Sequence, residues 1–118
     1  MNTLGADGEE AAARYLAERG CTIVARGYTA KTGEIDLIVL DGGTLAFVEV
    51  KDRAKDGFGG PAEAVTRGKQ IKIARTAARY LQDLKGPLPP CRFDVVAILD
   101  GRIEHIKDAF PSPIRFTL

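Results

Sequence analysis

The chain has 118 residues, 45% hydrophobic and 28% charged, a balance that fits one compact domain over residues 1–118 and excludes a disordered tail or linker. No apolar run approaches the roughly 20 residues of a membrane span, and the opening "MNTLGADGEE" lacks the basic start and apolar stretch of a signal peptide, so a cytoplasmic protein is expected. The formal net charge is only +1, but eight Lys/Arg and three Asp/Glu fall between Lys51 and Arg79, and that local excess points to a polyanionic partner.

In chain order, Asp7 is the expected N-cap of a first helix running to about Arg19, with Gly20 at its C-terminal cap. Its apolar stripe is Ala12, Tyr15 and Leu16. At 100 degrees per residue Glu9 falls roughly 60 degrees from the stripe's centre and Glu10 roughly 160 degrees. Glu9 therefore borders the buried side, while Glu10 faces water with Arg14 as its partner at i+4. "CTIVARGY" predicts a strand over Cys21–Arg26, and "TAKTG" has turn composition. Cys21 and Cys91 lie far apart with no CxxC spacing and a single histidine, His105, in the chain, so neither a zinc site nor a disulfide framework is suggested.

The next segment, "GEIDLIVLDGGTLAFVEVK", predicts strands over Glu34–Leu40 and Thr44–Lys51 joined by a tight hairpin turn. With Gly42 and Gly43 as a two-residue loop, Asp41 pairs with Thr44, Asp36 lies opposite Glu49, and Glu34 lies opposite Lys51. Side chains alternate, so these four charges share one face and form one rim, while Ile35, Leu37, Val39, Ala46, Val48 and Val50 make an apolar face behind them. Two carboxylates opposed at a Cβ separation of about 5 Å repel and require compensation. Either Mg²⁺, which takes one or two carboxylates, a backbone carbonyl and waters at about 2.1 Å, or Lys51 meets that need.

After the charged, glycine-rich loop "DRAKDGFGG", Pro61 opens a helical stretch that Gly68 interrupts. Thr66 is the N-cap of its main part, which reaches about Leu84. Ile71, Ala74, Ala77, Ala78 and Leu81 are its expected buried side, and Lys72, Arg75 and Arg79 form a basic stripe at i, i+3, i+7. "GPLPP" ends the helix. "CRFDVVAIL" and "RIEHI", separated by Asp100-Gly101, predict a closing strand pair, with Asp94 paired to Arg92 or a loop cation and His105 on the strand surface. The Pro-rich tail is expected to be irregular. Helix, three strands, helix, strand pair describes an α/β sheet with helices packed on it.

Carboxylates that hold a divalent ion beside an ammonium group suit phosphodiester hydrolysis: the ion lowers the pKa of a bound water, and the ammonium orients it or stabilises developing charge. Arg53, Lys55 and the helix stripe are then candidates for contact with neighbouring phosphates.

"GEID" followed thirteen residues after its aspartate by "EVK" resembles the PD-(D/E)xK, or restriction-endonuclease-like, nuclease superfamily. "GADGEEAAARYLAERG", "GEIDLIVLDGGTLAFVEVKDR", "FGGPAEAV" and "RFDVVAI" resemble, more closely, the YraN-like family of predicted endonucleases, over nearly the whole chain. The resemblance implies a restriction-endonuclease-like mixed β-sheet flanked by helices. It also implies Asp36 and Glu49 as metal-binding acids, the Val50 carbonyl as a further metal ligand, and Lys51 as the catalytic lysine, with Mg²⁺ or Mn²⁺ as cofactor. Glu9 matches a helix-borne glutamate of archaeal Holliday junction resolvases, which implies branched DNA as substrate and a homodimer that cuts two strands. Lys69 and Gln70 match helix residues near the site in related nucleases. Two positions depart from the pattern: Ile35 stands where the superfamily has proline, and Gly27 where relatives tend to carry asparagine.

Each reading has a plainer counterpart. For the Asp36, Glu49, Lys51 set it is a structural ion cluster, against which the motif spacing favours a site; Glu34 is the ion-pair partner of Lys51 or a direct participant, Glu9 a cap or surface acid, and the basic stripe a solvated face. The functional alternatives are a non-catalytic nucleic-acid-binding module and a protein-interaction adaptor.

Overall fold

The computed structural model describes residues 4–52 and 65–115. The order is α1 (Leu4–Glu18), β1 (Thr22–Ala30), β2 (Gly33–Asp41), β3 (Thr44–Asp52), α2 (Arg67–Gln82), β4 (Cys91–Leu99) and β5 (Arg102–Phe110). The five strands form one mixed sheet in the spatial order β1-β2-β3-β4-β5. Only the β3–β4 pair is parallel, and α2 lies in the connection between those two strands, as a parallel pair requires a long crossover.

The hairpin register is as read from the sequence: Asp41 pairs with Thr44, and the ladder runs to Leu37 opposite Val48. Alternation along these strands feeds two cores. Leu37, Val39, Ala46 and Val48 join Val96 and α1 residues Ala12, Ala13 and Leu16 in one cluster. Ile38, Leu45 and Phe47 join Phe93, Val95 and α2 residues Ile73, Ala74, Ala77 and Leu81 in the other. One helix thus covers each face, which defines the α/β architecture expected.

Four local expectations are corrected. The first helix begins at Leu4, so Asp7 lies inside it rather than at its cap; an acid in the first turn is as favourable to a helix as one at the cap, and composition alone does not separate them. β1 continues to Ala30, four residues past the expected end, and the turn narrows to Lys31-Thr32. Ile35 packs with the α2 cluster rather than behind the charged face. Gly27, at φ +59°, sits between the β1–β2 pairs Arg26–Leu37 and Tyr28–Ile35, a left-handed residue inside an unbroken register. Glycine and asparagine both adopt that conformation, which accounts for either residue at position 27.

The α2 correction concerns part of the buried side: Ala74, Ala77 and Leu81 are buried as expected. Thr66 does cap the helix, accepting from the Lys69 N–H at 3.2 Å. The buried residues, however, are Ile73, Ala74, Thr76, Ala77 and Leu81, with Ile71 and Ala78 only partly covered. A threonine can take a core position because its hydroxyl donates to the Lys72 carbonyl at 2.8 Å and shares a hydrogen bond with Thr32 Oγ1 at 2.7 Å, which removes the penalty of burying it. The proposed helical turn at Pro61 lies outside the described residues.

Candidate active site

Asp36 stands where the β2–β3 ladder has just ended. Beyond Leu37–Val48 no backbone pair joins the two strands; instead the Val50 N–H donates to Asp36 Oδ2 at 2.8 Å. The carboxylate takes the place of a backbone acceptor and is held at the sheet's rim. Burial, and then the charge of Glu49, push the Asp36 carboxyl up to about 7. The donated Val50 hydrogen bond opposes that rise without cancelling it.

Glu49 is almost fully buried, 6% exposed, and is held by two ammonium groups: Lys69 at 2.9 Å and Lys51 at 3.8 Å. The contact from Lys69 brings the first turn of α2 onto the β3 rim. Glu9 reaches the same place from α1. Burial, followed by the Glu34 charge, raises its carboxyl above the ordinary range, with the neighbouring Asp36 acting in the opposite direction. Glu10, one residue on, is exposed and pairs with Arg14 at 3.3 Å and Arg26 at 2.6 Å. The inward and outward assignments of the two glutamates therefore hold.

The expected Glu34–Lys51 pair does not form. The hairpin ladder ends at Leu37–Val48, short of both residues; on their other edges Glu34 is opposite Thr29 of β1 and Lys51 is opposite Ala97 of β4. Glu34 acts on the site through its charge, raising the carboxyls of Glu9 and Asp36. Gln70 is occupied elsewhere, donating from Nε2 to the Val65 carbonyl at 3.1 Å. Lys72, Arg75 and Arg79 are exposed or largely so along α2, with Arg79 in a surface pair to Asp83 at 3.0 Å. Arg53 and Lys55 lie outside the described residues.

The rim thus gathers Glu9, Glu34, Asp36 and Glu49 against the ammonium groups of Lys51 and Lys69, an excess of negative charge in partly buried surroundings. That donor set fits a divalent cation. Among the described residues no three acids are already spaced as a ligand cluster. Mg²⁺ asks for no more than one or two carboxylates, completed by waters and substrate phosphate.

A second charged cluster lies on β4 and β5. Asp94, with no exposed side-chain surface, accepts from Arg92 Nε at 2.9 Å, from the Asp108 N–H at 3.0 Å, and is 2.8 Å from His105 Nε2. Arg92 also donates to Asp41 at 2.7 Å. The Asp94–Arg92 pair was legible in the sequence. His105 was not: its side chain is 8% exposed, a buried partner of Asp94 rather than a surface residue. These bonds fill the β4–β5 bulge between Phe93 and Val95 and read as structural.

A small α/β protein, with a mixed sheet between two helices and an acid-rich rim flanked by lysines, is the class these features define. The chain belongs to the uncharacterised protein family UPF0102, whose profile matches residues 8–98. That span includes the acid rim and all of α2, and stops before β5. The chain is similar to a UPF0102 protein of Chlorobaculum tepidum, 55% identical over 117 residues and covering 91% of each chain. It is also similar to a UPF0102 protein of Rhodococcus jostii, 50% identical over 112 residues, 91% of this chain and 95% of that one, and to one of Symbiobacterium thermophilum, 48% identical over the same shares. No helix among the described residues is long and apolar enough to cross a membrane.

Proposed function

We infer that the protein is a metal-dependent endonuclease of the PD-(D/E)xK type, hydrolysing phosphodiester bonds in nucleic acid, with branched or structured DNA as its substrate and a homodimer as its working form. The observation that carries this reading is the rim itself: Asp36 with its carboxyl pushed up to about 7, beside a buried Glu49 with two lysines on it. A protein that needed only stability would gain by replacing such a group, since buried like charges are costly.

Asp36, Glu49 and the Val50 carbonyl would hold the ion. When bound, Mg²⁺ or Mn²⁺ supplies a water of lowered pKa and stabilises charge on the scissile phosphate. Lys51 orients the attacking water or stabilises the developing negative charge. Glu9, brought to the same rim from α1, would be a further acid beside the ion. Lys69, an ion-pair partner of Glu49, is near enough to the rim to meet a phosphate beside the scissile one.

One observation favours a non-catalytic binding module: the 2.9 Å Lys69–Glu49 pair neutralises an acid without any metal. A titration of Mg²⁺ and Mn²⁺ against duplex, single-stranded and four-way-junction DNA and structured RNA separates the two readings. Metal-dependent cleavage by the wild type, lost in Asp36→Asn and Lys51→Ala, supports the enzyme. Salt-sensitive binding without cleavage, unchanged by either substitution, supports the module. Binding of neither metal nor nucleic acid leaves the adaptor reading.

A further inference from the structure

The tip of the β1–β2 hairpin does not stand free. Thr32 Oγ1 is hydrogen-bonded to Thr76 Oγ1 of α2 at 2.7 Å. At Gly33 a Cβ would meet Thr76 Oγ1 at 3.4 Å and Lys72 Cβ at 3.8 Å, so the start of β2 is seated directly on the helix. Beside this seam lies an open groove of about 510 Å³, lined by Tyr28, Lys31 and Thr32 from the hairpin and by Arg79 from α2. Tyr28 is oriented by Tyr80, ring centroids 5.2 Å apart and planes at 85°.

Two elements run from the groove to the acid rim. Along β2, Gly33 and Asp36 are three residues apart, about 10 Å. Along α2, Lys69, Lys72, Thr76 and Arg79 follow one another at helical spacing on the side that meets β2 and β3. Lys69 touches Glu49, Lys72 and Thr76 adjoin Gly33, and Arg79 lines the groove. From Lys69 to Arg79 is about 15 Å at 1.5 Å per residue, the length of about four stacked nucleotides at 3.4 Å.

We propose that this groove holds an unpaired strand of the nucleic acid being cut, with Lys31, Lys72 and Arg79 on its phosphates and Tyr28 against a base. The proposal rests on the nucleic-acid reading of the rim and adds where the strand goes when it leaves. The groove has the volume of a pocket for one drug-sized group, which suits a nucleotide or two and is far too small to seat a duplex. Cations together with an aromatic ring along a narrow channel are the usual means of holding single strands. The competing charges are few: Asp83 holds Arg79 only through an exposed i,i+4 pair, readily exchanged for a phosphate, and Glu34 on β2, paired across from the groove-lining Thr29, is the acid that borders the groove.

The test is fluorescence anisotropy with a labelled twelve-nucleotide oligothymidine and a labelled twelve-base-pair duplex. The full chain is used without divalent metal, so that hydrolysis plays no part. Lys31 and Arg79 are exposed, and Lys31→Glu with Arg79→Glu leaves the core untouched. The double variant is expected to lose at least tenfold in single-strand affinity, with the salt slope falling by about 0.7 per contact removed, and to change duplex affinity less than threefold. Tyr28→Leu lowers single-strand affinity without altering the salt slope. Equal loss on both probes, or no loss on either, overturns the groove assignment. Cleavage by the wild type together with an unaffected single-strand affinity sinks the groove and leaves the nuclease reading standing. A groove effect without metal-dependent cleavage does the reverse.

Discussion

Replacing Asp36 by asparagine is expected to make the metal-free protein more stable, by an amount that depends on pH in a defined direction. In the folded chain burial and Glu49 raise the Asp36 carboxyl from 3.8 to about 7, so between those values the folded state binds a proton that the unfolded state has released. The group imposes no penalty below about pH 4. The penalty grows as pH rises, and is complete above about pH 7. At 1.36 kcal/mol per pKa unit the shift corresponds to about 4 kcal/mol, and coupling to Glu49 leaves about 2–4 kcal/mol for Asp36 alone. Asparagine cannot ionise, and its side-chain carbonyl can still accept the Val50 N–H that Oδ2 now accepts at 2.8 Å. Thermal unfolding in a chelating buffer should therefore place Asp36→Asn about 10 °C above wild type at pH 8, with the gap closing towards pH 4. Saturating Mg²⁺ should raise the wild type through its affinity for the folded state and leave the variant unmoved. A gap that is the same at pH 5 and pH 8, or a wild type more stable than the variant at pH 8 without metal, would refute the argument that an uncompensated carboxylate sits at this rim.

Asp94→Asn leaves Arg92 without its buried counter-ion and should cost about 3–5 kcal/mol in urea unfolding; a loss under 1 kcal/mol would contradict the structural reading of that cluster. Burial alone would raise the Asp94 carboxyl, but hydrogen bonds from His105 and Arg92 hold it below the ordinary range, so its stabilisation is present above about pH 4 and is lost as pH falls through the lowered value. At Gly27, with φ +59°, asparagine should be tolerated within about 1 kcal/mol while valine costs about 2 kcal/mol; equal effects of the two would show that the backbone there relaxes.

The sequence made the centre of the sheet legible because glycines at a two-residue turn fix the pairing of everything that follows. The Asp41–Thr44 register, the two apolar faces and the clustering of Asp36 with Glu49 all descend from Gly42-Gly43. The limits of that reasoning appear where local pattern no longer governs. Pairing arithmetic carries Glu34 opposite Lys51, but it cannot see that the β2–β3 ladder ends at Leu37–Val48, before it reaches that pair. Thr76 reads as polar until its two hydrogen bonds are known, so the spacing finds Ala74, Ala77 and Leu81 on the buried face of α2 but takes Ile71 and Ala78 in place of Ile73 and Thr76. His105 looked like a surface residue for the same reason: its partner, Asp94, is adjacent only through the β4–β5 pairing. The Lys69–Glu49 contact is another tertiary fact: the family resemblance puts Lys69 near the site, and nothing in the spacing names Glu49 as its partner.

The central claim is that Asp36 and Glu49 hold a hydrolytic divalent ion, and the rate of cleavage of a four-way DNA junction as Mn²⁺ is raised tests it most directly. The account predicts saturable, metal-dependent strand scission by the wild type and a loss of at least a hundredfold in Asp36→Asn, even though that variant is folded and more stable without metal. Cleavage that survives the substitution, or a wild type that saturates with metal and cuts no nucleic acid, would contradict it.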